Sequence, residues 1–319
     1  GGAGTNYVSY GLIAYEFEKI DSAYRSSISV QSSLVIHPIF QFGSEEQKEK
    51  YLPELISGNK IGCFALTESE AGSDPASMKT TYEEKNDEFV LNGSKNWITN
   101  APIADVFIIW ALNNKKEIKG FIIDKNTEGM STSFINNKTS LKISPTGQII
   151  LNNVRIPKNK VLTKTDGWKS VFSCLNKARY GISWGVIGAA TESWLIAKDY
   201  TENRIMFKKP LAANQLIQKK LADMQTEINI ALSACIHTGR AMDNKKDVKN
   251  AISILKRNNC KKSIDICRNA RDMLGANGLV EENHIIRHVV NLETVKTYEG
   301  TEDIHALILG KNQTGLEAF

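Results

Sequence analysis

The residues best suited to chemistry lie near the end of the chain, in KTYEGTEDIHALILG, residues 296–310. Glu299 stands between an aromatic residue and a glycine, and Thr301, Asp303 and His305 open a segment whose remainder is largely apolar. A carboxylate beside an apolar helix has two uses. It can complement the positive end of the helix, or it can be a partly desolvated base whose pKa burial has raised. A second stretch, CFALTESEAGSDPAS (63–77), reads as a strand end running into a loop of hydroxyls and glycines. There Thr67, Gly72 and Ser73 offer donors for the polar edge of a ring or for phosphates, although an ordinary β-loop has the same composition. NWITN (96–100) sets a flat indole beside a turn and a hydroxyl, a pattern that a buried core tryptophan also produces. RDMLGANG (271–278) carries glycines at a helix end but does not match GxGxxG, so it reads as a helix C-cap. His284 and His288 are four apart, as zinc ligands on a helix can be, yet the HExxH glutamate and a third ligand are missing, and no metal is expected. Neither a Ser-His-Asp set nor a nucleophilic-cysteine signature is present. Arg25, in SAYRSSIS, reads on its own as a solvated charge near a helix end.

The elements that must position these residues follow from periodicity. The first sixty residues carry apolar positions at helical spacing. Ser44 followed by Gln47 has capping-box spacing, and Gly58 is the expected stop of that helix. From about 63 to 165 the pattern is that of short strands. Asn92-Gly93 between β-prone runs is the expected hairpin turn, DVFIIWAL and KGFIIDK flank the polar NNKKEI, and STSFINN and GQIILNNVRIP are further strands. After TKTDGW come three long helical stretches without internal proline and a shorter fourth at the end. Short connections between long helices point to a four-helix bundle. The expected architecture is α+β: helices over 1–62, a central β-barrel-like domain over 63–165, and a helical bundle over 166–319.

Composition narrows the function classes. The 319 residues are 41% hydrophobic and 24% charged, ordinary for a globular chain with a sizeable core. The formal net charge of +5 is dispersed, without the basic block or aromatic-basic stripe that tracks nucleic acid, so a small anionic ligand fits better. Five scattered cysteines without a CxxC pair suit a reducing compartment. Neither a membrane-spanning run nor a signal peptide is visible. The chain opens at Gly1 without methionine, which reads as a processed or partial sequence.

Taken together, CFALTESEAGSDPAS, LNGSKNWITN, LNKARYGISWGVIGA, LIQKKLADM, ARDMLGANG and TYEGTEDIHALILG occur in the order and spacing of acyl-CoA dehydrogenases. The resemblance covers essentially the whole chain and is closest to glutaryl-CoA dehydrogenases, through AYRSSISVQSSLVIHPI, LIQKKLADM and TYEGTEDIHALILG. It implies an FAD flavoprotein, a homotetramer, that removes an α-proton of an acyl-CoA and passes the β-hydride to flavin. Residues 1–62 would then be the remnant of the family's N-terminal helical domain. Glu299 matches the family's base. The flavin contacts implied are Phe64, Leu66, Thr67, Gly72 and Ser73, with Trp97, Ile98 and Thr99, and Thr301 and Asp303 just past the base. Arg204, Phe207 and Gln215, with the turn Asp272, Met273, Leu274, Gly275 and Ala276, match the part that reaches the FAD of a neighbouring subunit, where a bidentate arginine suits pyrophosphate.

For the substrate, the resemblance implies Ser73, the segment carrying Phe172, Leu175, Asn176 and Arg179, then Gly300 and Phe319. Arg25, with Ser26, would face the far carboxylate of a dicarboxylyl-CoA. The implied reaction is oxidative decarboxylation of glutaryl-CoA to crotonyl-CoA and CO2, with an electron-transfer flavoprotein as acceptor. The alternatives are a non-decarboxylating acyl-CoA dehydrogenase and a catalytically silent flavoprotein or scaffold. The resemblance implies the cytoplasm if the source is bacterial and the mitochondrial matrix if it is eukaryotic. The chain departs from the family pattern at Met206, Lys208 and Ala276, where the family has a polar residue and two glycines.

Overall fold

The computed structural model describes residues 2–318. In chain order the elements are α1 (Tyr7–Ile20), α2 (Ser22–Ser29), a π-helical stretch (Val30–Ile36), α3 (His37–Phe42) and α4 (Glu45–Ser57). Strands β1 (Gly62–Ala65), β2 (Thr81–Lys85), β3 (Glu88–Thr99), β4 (Val106–Leu112), β5 (Ile118–Asp124), β6 (Met130–Phe134) and β7 (Thr146–Pro157) follow. Then come α5 (Gly167–Asn203), the two-residue strands β8 (Ile205–Met206) and β9 (Lys209–Pro210), α6 (Gln215–Asp243), α7 (Lys249–Met273), α8 (Ile285–Thr297) and α9 (Glu302–Thr314). The described residues divide into two units: 2–3, 26–138 and 142–178 form the first, and 4–25, 139–141 and 179–318 the second.

In the first unit a seven-stranded sheet runs β1-β4-β2-β3-β7-β6, with β5 also on β4. Strand β4 is buried along its length, and its alternation feeds two cores. Val106, Ile108, Trp110 and Leu112 pack with Val35, Ile39, Tyr51 and Leu55 from the helices. Phe107, Ile109 and Ala111 face the opposite core with Tyr82, Phe89 and Phe121. Helix α4 starts as expected: the Gln47 N–H donates to Ser44 Oγ (3.2 Å), the Ser44 N–H donates to Gln47 Oε1 (3.0 Å), and Gly58 ends it in the left-handed conformation.

The hairpin turn is not at Asn92-Gly93. Those residues lie inside β3, and the turn between β2 and β3 is Asn86-Asp87, with Asn86 at φ 50°. Gly93 (φ 144°) marks an irregularity in the β3–β7 register, and a Cβ there would stand 2.6 Å from the Thr80 Cα. The glycine serves a close backbone approach and a bulge, not a turn.

The second unit is helical, with one core built from α1, the later part of α5, and α6 to α8, including Trp184, Ile228, Leu255, Ile264, Cys267 and Leu292. Where one shorter helix was expected at the end, there are two, α8 and α9, separated by residues 298–301. That break presents Glu299. Among the described residues no helix is long and apolar enough to cross a membrane.

Candidate active site

Glu299 is not a helix-start charge. The N-cap of α9 is Thr301, whose Oγ1 accepts from the Ile304 N–H at 3.2 Å, and the acids of its first turn are Glu302 and Asp303. Glu299 sits two residues upstream, at φ 55°, followed by Gly300 at φ 94°. A Cβ at Gly300 would stand 3.0 Å from His305 Nε2 and 3.3 Å from Arg179 Nη2. The left-handed conformation favours glycine there, and the space beside it is tight.

The loop is held by cations. Arg179 Nε donates to the Glu299 carbonyl at 2.8 Å. The Lys256 ammonium donates to the carbonyls of Gly300 (2.7 Å) and Lys296 (3.1 Å). The carboxyl itself is otherwise placed: Glu299 Oε2 is out of contact with solvent and accepts no hydrogen bond from the protein. Burial raises its pKa from 4.5 to about 7, while Arg179, Arg25 and Lys256 pull the other way. A carboxyl half-ionised near neutrality, with an unsatisfied oxygen, is suited to taking a proton from a weak carbon acid and returning it.

Arg25 is 2% exposed and belongs to this cluster. Its Nε donates to Glu18 Oε2 at 2.5 Å and its Nη2 to the Tyr298 hydroxyl, with the guanidinium carbon 5.7 Å from the Tyr298 ring centre. Glu18 also accepts from Ser22 Oγ at 2.7 Å. Burial raises the Glu18 carboxyl above its ordinary range, with Arg25 drawing it back down. His305 is fully buried, and burial lowers its pKa to about 3, so it is neutral at working pH. The sequence-predicted Arg25, Arg179, Glu299 and Gly300 are therefore brought together.

Three members of the cluster escaped the sequence reading, Glu18, Lys256 and Tyr298, while His305 stood in the stretch singled out there without a role of its own. A signal existed for two of them. Glu18 falls in register with Gly11 and Ala14 on the buried face of α1, and Lys256 with Ile252 and Cys260 on that of α7.

In the first unit the residues matched to flavin contacts lie at two strand ends joined by the Asn96 N–H donating to the Thr67 carbonyl at 2.9 Å. Phe64, Leu66 and Ile98 are buried, whereas Thr67 and Thr99 are partly open. Trp97 is not a core tryptophan: it is 58% exposed, at φ 61°. The two strand ends are tied underneath by Lys95, fully buried, which donates to the Leu66 carbonyl (3.0 Å) and to Glu68 Oε1 (2.9 Å). Glu68 also accepts from the backbone of Lys79 (2.6 Å) and Thr80 (3.0 Å). An open indole beside two hydroxyls on a rigid base fits a planar heteroaromatic ring with polar edges.

The other matched residues are dispersed. Gly72 and Ser73 stand in an exposed loop, Ser26 is buried on α2, and Phe172 is exposed on α5 with Leu175 and Asn176 partly covered. Arg204 and Phe207 belong to an exposed two-residue hairpin in which both Phe207 (φ 49°) and Lys208 (φ 65°) are left-handed, and Gln215 opens α6. At the end of α7, Asp272 accepts from Lys220 at 2.5 Å, Met273 and Leu274 are buried, and Gly275 and Ala276 are exposed. Thr301 is partly open and Asp303 exposed. Phe319 lies outside the described residues.

This geometry agrees with the comparisons to known proteins. Three family models match in succession: acyl-CoA dehydrogenase N-terminal domain over residues 1–59, middle domain over 63–154 and C-terminal domain over 165–314. An acyl-CoA dehydrogenase of Bacillus subtilis (strain 168) is 36% identical, over 99% of this chain and 84% of its own. The mitochondrial short-chain specific acyl-CoA dehydrogenase of Homo sapiens is 34% identical, over 97% of this chain and 76% of its own. The crystal structure of a glutaryl-CoA dehydrogenase from Mycobacterium smegmatis in complex with FADH2 superposes with TM-score 0.98 at 44% identity, covering 99% of this chain and 82% of that one. The chain belongs to the acyl-CoA dehydrogenase family.

Proposed function

We propose that this acyl-CoA dehydrogenase oxidatively decarboxylates glutaryl-CoA to crotonyl-CoA and CO2. The observation that carries the reading is the buried cluster in which Glu299, with its pKa near 7, shares its surroundings with the arginine Arg25. The likeness to a glutaryl-CoA dehydrogenase at 44% identity supports it. The Glu299 carboxylate takes the α-proton of the thioester. The strand ends carrying Thr67 and Trp97 would hold FAD, and the bound flavin would supply the two-electron oxidant for the hydride that leaves the β-carbon. Glutaconyl-CoA then loses its far carboxylate as CO2, and the dienolate left behind takes a proton from the Glu299 carboxyl to give crotonyl-CoA. Arg25 holds the far carboxylate until it leaves, and Arg179 and Gly300 keep the base in place. Flavin contacts fall to the Thr67 and Trp97–Thr99 strand ends, and Arg204, Phe207 and Gln215 serve a neighbouring subunit in a homotetramer. The acceptor of the two electrons is an electron-transfer flavoprotein.

A second reading rests on Arg25 being already engaged by Glu18 and Tyr298. In that reading Arg25 is structural and the substrate is a short monocarboxylic acyl-CoA; the human relative is named short-chain specific. Comparing kcat/KM for glutaryl-CoA and butyryl-CoA in the wild type and Arg25→Ala separates the two. Loss of a preference for glutaryl-CoA on substitution supports the decarboxylase. A wild type that favours butyryl-CoA, with both substrates affected equally by the substitution, supports the second reading.

A further inference from the structure

Lys256 has no role in the reaction as derived above, yet it is fully buried on the apolar face of α7, where its neighbours along the helix are Ile252, Leu255 and Cys260. Burying an ammonium is costly and is tolerated only where strong acceptors meet it. Its acceptors are two neutral carbonyls, Lys296 at 3.1 Å and Gly300 at 2.7 Å, one on each side of Glu299. The segment between them contains two consecutive left-handed residues, Glu299 and Gly300. A non-glycine residue in that conformation persists only where its surroundings over-determine it.

We propose that Lys256 is the positioning residue of the base: its ammonium clamps the two carbonyls that bracket Glu299 and sets a positive charge beside the loop that carries the carboxyl. This rests on the reading of Glu299 as the base. Other groups face the same carboxyl. Arg179 comes from α5, Arg25 from α2 with Glu18 from α1 as its counter-ion, Tyr298 precedes it in the loop, and His305 from α9 is neutral. Arg179, Arg25 and Lys256, in that order, oppose the effect of burial on Glu299, and of the three Lys256 alone holds the carbonyls on both sides of it. Lys256 lowers the Glu299 pKa, so its removal raises it further.

The test uses the FAD-loaded protein. The carboxyl stretch of Glu299 is titrated by isotope-edited infrared spectroscopy, with Glu299→Gln assigning the band, in the wild type and in Lys256→Met, Lys256→Gln and Lys256→Arg. Stopped-flow bleaching by glutaryl-CoA and butyryl-CoA is followed across the same pH range. Lys256→Met and Lys256→Gln should move the midpoint up by a pH unit or more, leaving the carboxylate about tenfold scarcer at pH 6. Lys256→Arg should keep the midpoint near the wild-type value. Lys256→Gln, whose amide can still donate to a carbonyl, should recover more of the bleaching rate at pH 9 than Lys256→Met. An unmoved midpoint in both neutral variants, or an arginine variant that shifts as far as methionine, overturns the proposal. A wild type whose Glu299 titrates near neutrality but bleaches with neither thioester refutes the assigned reaction instead, and the infrared shift still decides the role of Lys256.

Discussion

Glu299→Gln should stabilise the protein while destroying its activity, and the size of the effect should depend on pH. Burial holds the folded-state pKa at about 7, against an ordinary 4.5. Below about pH 4.5 the carboxyl is protonated in the folded and unfolded chains alike, and the glutamine variant gains nothing. Between about 4.5 and 7 the unfolded chain ionises while the folded one stays protonated, so the wild type loses stability as pH rises. Above about 7 the loss is complete. At about 1.4 kcal/mol per pH unit, that separation amounts to about 3 kcal/mol. Glu299 is partly exposed as a residue, and solvent screening trims the expected gain to about 2 kcal/mol. Thermal melts of the FAD-loaded wild type and variant from pH 4 to 8.5 read this directly. The variant's Tm should match the wild type near pH 4 and exceed it by roughly 4 °C at pH 8. A variant no more stable than the wild type at pH 8, or one with the same advantage at both ends, would show that Glu299 is not held against its ionisation, and the argument for a tuned base would fail.

Three other outcomes follow from the same structure. Arg25→Ala leaves Glu18 buried without its cation, so urea unfolding should show a loss of about 3–5 kcal/mol at pH 7, and Glu18→Gln combined with it should recover part of that loss. Lys95→Met removes the tie between the strand ends that carry Thr67 and Trp97. It should lower the flavin content of the purified protein, read from the 450 to 280 nm absorbance ratio, without altering the Glu299 titration. Lys208 sits left-handed, at φ 65°, in the β8–β9 hairpin, so Lys208→Gly should raise stability by about 1 kcal/mol, measured by the same melts.

Much of the fold is legible in residue pattern because its signals are local. Strand β4 reads correctly because it is a continuous apolar run between turn residues, and α4 because Ser44, Gln47 and Gly58 mark its ends. Asn92-Gly93 misleads for a physical reason. The dipeptide favours a tight turn, but Gly93 is there to let β3 pass close to Thr80, a contact between strands that no local window contains. The C-terminal region reads as one shorter helix because a two-helix break at Tyr298–Thr301 needs only a glycine and a cap. Glu299 stands out because it is a carboxylate beside that glycine. Glu18 and Lys256 do not, since one charged residue on an amphipathic helix looks the same whether its face meets water or a buried partner. Trp97 is the reverse case: a residue type expected inside is open, at the strand end matched to flavin.

The most direct measurement is an anaerobic titration of the FAD-loaded protein with glutaryl-CoA, following the flavin absorbance and then, after an electron acceptor is added, the CO2 released. A dehydrogenase that decarboxylates predicts stoichiometric bleaching followed by CO2 and crotonyl-CoA in equal amounts. Bleaching without CO2 would contradict the assignment of Arg25 to a substrate carboxylate, and a bound flavin that stays yellow would contradict Glu299 as a working base.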